Sequence, residues 1–145
     1  MEHFKKYDKI YYLGHKDNTC LKIEPGEVIH IEEKIDGGNF RFFITRDNKV
    51  IIGTRTQQIT SDEGEDSNVS KDFIRCCNYV REQIKKSFDI SNNIIEKNRY
   101  IFYGESCHKH TITYDFARMP PYLGFDIFDM VTGKYLDYSE KRLIV

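Results

Sequence analysis

The chain has 145 residues, a formal net charge of −1, 39% hydrophobic and 31% charged residues. That composition supplies a core and excludes a largely disordered polymer, and its near-neutral charge excludes a uniformly basic nucleic-acid binder while leaving room for a local basic groove. No apolar run is long enough to span a membrane, and the opening MEHFKKYDKIYYLG lacks the continuous apolar stretch of a signal peptide, so the expected location is the cytoplasm.

Residues 1–27 are mixed. KIYYLG reads as a short strand, and EPGE at 24–27 as a turn. VIHIEEK then reads as a strand leading to Lys34, and NFRFFIT as the strand after Gly37 and Gly38. RDNK turns the chain, and VIIGTRTQQI returns to form a hairpin. TSDEGEDSN at 60–68 is an acidic surface loop.

A helix is expected from Ser70 to Phe88. Phe73, Cys77, Val80, Ile84 and Phe88 recur at spacings of three and four and give it one apolar face. Ser70 is its expected cap, Val69 and Ile74 its hydrophobic staple, and Lys85 and Lys86 suit its negative pole. RYIFYGES reads as a strand ending at Gly104-Glu105. CHKHTITYDFARMPP is a long loop, with helix barred by Pro120 and Pro121. YLGFDIFDM is another strand, and TGKY turns it. Strands on either side of one main helix predict an α+β fold with mostly antiparallel sheet, in one domain.

Cys20, Cys76, Cys77 and Cys107 show no C-x-x-C spacing. Adjacent Cys76 and Cys77 fall in the helical pattern and read as core thiols. Cys107, His108 and His110 lie close enough in sequence to suggest a metal, but no second pair completes a zinc set, so no metal site is assigned.

The segment Glu33-Lys34-Ile35-Asp36-Gly37-Gly38-Asn39-Phe40 carries the most chemistry. Period two projects Lys34 and Asp36 from one side of an extended chain, and the glycines let the backbone turn or approach a ligand. An amine is nucleophilic only when deprotonated, a state favoured by desolvation or by a neighbouring positive group. Its matching substrate is an activated phosphate or a carbonyl; the plain alternative is a surface lysine before an Asp-Gly turn. Arg55 offers a two-pronged guanidinium for phosphate or carboxylate. Glu105 can take a ribose hydroxyl or help hold a metal ion. Phe125 can stack on a nucleobase or serve as a core ring, and period two sets it on the face opposite Asp126.

Lys-x-Asp-Gly, an arginine after a hairpin, Tyr-Gly-Glu and Phe-Asp-Ile-Phe occur together here. The set resembles the covalent nucleotidyltransferases, and within them the ATP-dependent RNA ligase branch. EKIDGGNF is similar to that branch's lysine motif, IFYGES to its strand ending in Gly-Glu, and KHTITYDFARMPPYLGFDIFD to the segment that follows. The resemblance spans roughly residues 28 to 130. It implies part of an adenylation domain of the ATP-grasp-like ligase type, with ATP and Mg²⁺ as cofactors and RNA or DNA strand ends as partners. Lys34 would attack the α-phosphate and hold AMP, and Asp36 would sit beside it and orient substrate. Asn39 would contact phosphate or ribose, and Arg55 would hold the nucleotide or a 5′-phosphate. Glu105 would bind ribose or influence the metal, Phe125 would stack on adenine, and Glu33 would help line the base pocket.

Two later family motifs are expected to be missing: a strand beginning Glu-Gly and a Lys-x-Lys strand. Glu63-Gly64 has the wrong order and setting, and Lys141-Arg142 lacks the spacing. The domain is therefore expected to be incomplete, with three explanations. It is a piece of a longer ligase, a short chain completed by a second chain or a homodimer, or a ligase-derived module that binds nucleotide or nucleic acid without joining ends.

Overall fold

A computed structural model describes residues 4–12, 14–16, 23–62, 64–67, 69–90 and 96–144, without the side chains of 88–90. Cys20, Glu63 and the Phe88 side chain, all named above, lie outside what is described, as does Leu13 of the KIYYLG segment. In chain order the elements are β1 (Gly38–Ile44), β2 (Val50–Thr54), α1 (Lys71–Ile90), β3 (Tyr100–Ser106), β4 (Tyr122–Asp129), β5 (Lys134–Tyr135) and α2 (Tyr138–Ile144). The strands form one antiparallel sheet in the order β2-β1-β3-β4-β5. The fold is α+β, with a second, short helix after the last strand.

The sheet follows from alternation. Along β1, Phe40, Phe42 and Ile44 face α1, whereas Arg41 and Phe43 face the other way. The first set packs with Ile52, Phe102 and Ile127 against Cys76, Cys77, Val80 and Ile84 of α1. Burial of each such Val, Ile or Phe side chain contributes about 1.5–3 kcal/mol. Burial also pushes the Cys77 thiol up to about 11, so it behaves as an inert core group. On the other face, Phe43, Ile51, Ile101 and Tyr103 are covered by a strap, residues 4–8, through Phe4 and Tyr7. Tyr103 Oη and Arg41 Nη1 both donate to the Lys5 carbonyl, at 2.7 and 3.1 Å, and bind the strap to the sheet. Asp129, fully buried, accepts from Nη2 and Nε of Arg99 at 2.8 and 3.1 Å and closes the far end of β4.

Several expectations change. VIHIEEK is not a strand: residues 27–36 have no regular structure, and Val28 and Ile31 are each 87% exposed. Its apolar side chains have no facing surface, and no strand among the described residues pairs with it, so β propensity alone leaves it unpaired. Residues 9–12, read as a strand, also lack regular structure. The returning hairpin strand stops at Thr54; Gln58 forms only an isolated bridge with Gly53. Ile74 is exposed rather than stapled to Val69, which packs into the core. Because α1 runs to Ile90, Lys85 and Lys86 stand before its last turn, and Lys86 pairs with Glu82 at 2.7 Å. The start of α2 is a capping box: Asp137 accepts from the Glu140 amide, and Glu140 from the Asp137 amide, both at 2.8 Å. No helix among the described residues is long and apolar enough to cross a membrane.

Candidate active site

The edge where β1 begins and β3 ends brings two of the residues singled out by sequence together. Asn39 stands opposite Glu105 in the β1–β3 register, and Gly38 opposite Ser106. The two glycines are required by closeness. A Cβ on Gly37 would press into the Ser106 carbonyl, and one on Gly38 would come within 2.6 Å of the Phe73 ring and 2.8 Å of His108. The chain can therefore pass between β3 and α1 only with no side chain at these positions.

Glu105 is the electrostatic centre of this edge. Its carboxylate accepts from the Gly37 amide at 3.1 Å. Burial pushes the carboxyl above the ordinary carboxylate range, against the pull of that amide and of the positive charges of Lys34 and Arg55; Asp36 pushes it further up. Lys34, Arg55 and Asp36 thus each bear on the Glu105 carboxyl. Lys34 and Arg55 are both exposed, so burial of the amine is not a feature of the free chain. Glu33 is exposed as well. Asn39 Oδ1 is buried with no hydrogen-bond partner among the described residues. An orphaned buried acceptor costs about 1–3 kcal/mol, which a hydroxyl donor from a ligand would recover.

Asp36 is committed elsewhere than the open face. Its Oδ2 accepts from the amides of Thr111 and Ile112 at 2.8 and 2.7 Å, and its Oδ1 lies 3.1 Å from His110 Nδ1. Its own amide donates to Tyr114 Oη at 3.1 Å. These bonds hold its carboxyl below the usual range, the Ile112 amide having the largest effect.

Phe125 is where sequence periodicity fails. Tyr103 opposes Asp126 and Gly104 opposes Gly124, so Phe125 is the extra residue of a β-bulge. Phe125 and Asp126 both meet Tyr7, and they share the strap face rather than lying on opposite faces. The Tyr7 and Phe125 ring centroids are 5.0 Å apart, edge to face, and Tyr7 Oη donates to Asp126 Oδ2 at 2.8 Å. From α2, Lys141 Nζ donates to the Phe125 carbonyl at 2.8 Å and lies 3.3 Å from Asp126 Oδ1. Without the bulge, Phe125 would point toward α1. With it, the ring shares a face with Tyr103 and, two residues on, Glu105. Tyr7 and Lys141 were not among the residues singled out for the site; their signal, an aromatic and a cation far apart in sequence, acquires meaning only through the sheet.

Cys107, His108 and His110 do not converge. Cys107 is buried, with its thiol 3.6 Å from the Glu105 carbonyl. His108 Nδ1 lies 3.2 Å from Ser106 Oγ, and its ring packs on Phe73. Among the described residues no group of three His, Cys, Asp or Glu side chains is arranged to hold a metal ion.

Set against known proteins, residues 27–145 match the family model described as RNA ligase, well over half of the chain. No curated protein and no solved structure matches it.

Proposed function

The chain belongs to the RNA ligase family, and from that premise we propose that it is the adenylation part of an ATP-dependent polynucleotide ligase, with Lys34 as its nucleophile. The observation that carries this reading is the half-buried Glu105 carboxylate held by the Gly37 amide and set opposite Asn39, whose buried Oδ1 has no partner among the described residues, at an edge where two glycines leave room for backbone alone. In the first step the Lys34 amine attacks the α-phosphorus of ATP. A nitrogen–phosphorus bond forms, the bond from that phosphorus to the bridging oxygen breaks, and pyrophosphate leaves with the electron pair; the amine's proton passes to solvent. AMP then moves from Lys34 to a 5′-phosphate strand end, and a 3′-hydroxyl displaces it. Each step exchanges one phosphoryl linkage for another, so the protein's share is position and charge.

The other residues take roles consistent with their surroundings. Arg55 holds the nucleotide phosphates or the strand's 5′-phosphate by paired hydrogen bonds. Asn39 Oδ1, an acceptor with no partner among the described residues, fits a ribose hydroxyl better than a phosphate, which has no proton to give. Glu105 takes the other ribose contact. Phe125, turned to this face by its bulge, stacks on adenine, and Glu33 lines the base pocket. The donor set suits Mg²⁺ held mainly by phosphate oxygens and water, since the carboxylates here are already occupied by amides. Bound there, Mg²⁺ supplies charge neutralisation on the phosphates. RNA or DNA ends are the proposed partners, held by local cations in a salt-sensitive way.

A second reading is a nucleotide- or nucleic-acid-binding module without the joining reaction. It is favoured by the exposure of both Lys34 and Arg55, an open face suited to binding without closure. Incubation with α-labelled ATP and Mg²⁺ followed by denaturing electrophoresis separates the two. The ligase reading predicts an acid-labile AMP adduct on the protein that K34A abolishes. ATP binding with no adduct supports the module and overturns the ligase reading.

A further inference from the structure

We propose that the 110–114 loop is the positioning element for Lys34, and that Asp36 and Tyr114 are its working contacts. This rests on the reading of Lys34 as the nucleophile. Lys34 needs a fixed backbone for its amine to meet a phosphorus atom in line, because a misplacement of about 1 Å costs on the order of a hundredfold in rate. The segment before it does not provide one. Residues 27–33 are exposed and belong to no strand, and the His30 ring stacks on Tyr138, with centroids 4.0 Å apart.

Two residues after Lys34 the situation reverses. Both oxygens of Asp36 are engaged, one by the Thr111 and Ile112 amides and the other by His110, while its amide is held by the Tyr114 hydroxyl. The next amide, Gly37, is held by Glu105. The loop itself is braced from α1, where Arg75 Nη2 donates to the Phe116 and Met119 carbonyls at 3.0 and 3.4 Å. A hydrogen-bonded path therefore runs from α1 through the loop to Asp36 and stops two residues from the amine. Asp36 acts through this path, with its carboxylate on the loop rather than on substrate. It is a positioning residue, and so is Tyr114.

Y114F keeps the ring and removes only the oxygen that accepts from the Asp36 amide. In the free protein, amide exchange at residues 35–37 should rise on the order of fivefold in Y114F, with the melting temperature nearly unchanged. Unchanged exchange overturns the proposal whatever the chemistry at Lys34. In single-turnover labelling, AMP transfer to Y114F should slow on the order of tenfold or more while ATP affinity stays within about twofold of wild type. D36N, which turns one acceptor into a donor facing backbone amides, should do the same more strongly. Labelling as fast as wild type, or loss of ATP affinity in step with rate, overturns the proposal. A wild-type chain that takes up no AMP overturns the Lys34 reading instead, and the exchange measurement tells that failure apart.

Discussion

The segments on either side of Lys34 are alike in sequence and opposite in structure. Residues 28–34 and 38–44 are both rich in β-branched or aromatic side chains. The second is the interior strand β1, bonded on both sides and buried from Phe40 to Ile44. The first is exposed and unpaired. A strand is a property of a pair of segments and of the surface they cover, so propensity without a neighbour yields no strand. Lys34 sits at the junction, with an order that comes from one side.

This contrast makes sharp demands. On the ordered side, F42A removes a buried ring stacked on Phe102 at 4.9 Å and should cost about 3–5 kcal/mol in urea unfolding. A loss well below that would mean that the sheet is not held by this cluster.

At the junction, E105Q should separate function from stability. The Glu105 carboxyl is raised from its ordinary value of 4.5 by burial, so the folded chain keeps its proton longer than the unfolded chain. Stability therefore falls as pH rises from 4.5 through the raised value, and the penalty is fully present above it. Gln carries no charge to desolvate and can still accept from Gly37. E105Q should melt higher than wild type at neutral pH and show a flatter pH dependence in that window, while AMP transfer falls on the order of a hundredfold. A lower melting temperature at neutral pH would contradict the assigned cause of the shift.

On the exposed side, I31K should change stability by no more than about 0.5 kcal/mol. A large loss would show that 27–33 is packed in solution and would erase the comparison.

The same contrast explains what could be read from sequence. The hairpin and α1 were legible because their apolar residues repeat at two and at three-to-four, and both patterns find a surface: β1 and β2 pair from Phe40–Thr54 to Ile44–Val50, and Cys77, Val80 and Ile84 meet the sheet. Lys34, Asp36, Arg55 and Glu105 were singled out from their motifs; the fold sets the Glu105 carboxylate on the Gly37 amide, one residue after Asp36, and leaves Lys34 and Arg55 exposed. The face of Phe125 was not legible, because a bulge depends on register with β3 and leaves no mark in local periodicity. Nor was the strap, whose Tyr7 and Lys5 act through contacts with residues more than a hundred positions away. The Asp137-to-Glu140 capping box was readable from its spacing, yet it sits in a polar tail with no buried face to suggest a helix.

The most direct test of the central claim is to locate the AMP. Wild-type protein incubated with ATP and Mg²⁺ is digested under conditions that preserve phosphoramidates, and the modified peptide is sequenced by mass spectrometry. The account predicts one added AMP on the peptide containing Lys34, at Lys34 itself, and none in K34A. AMP on another residue, or its persistence in K34A, would contradict it.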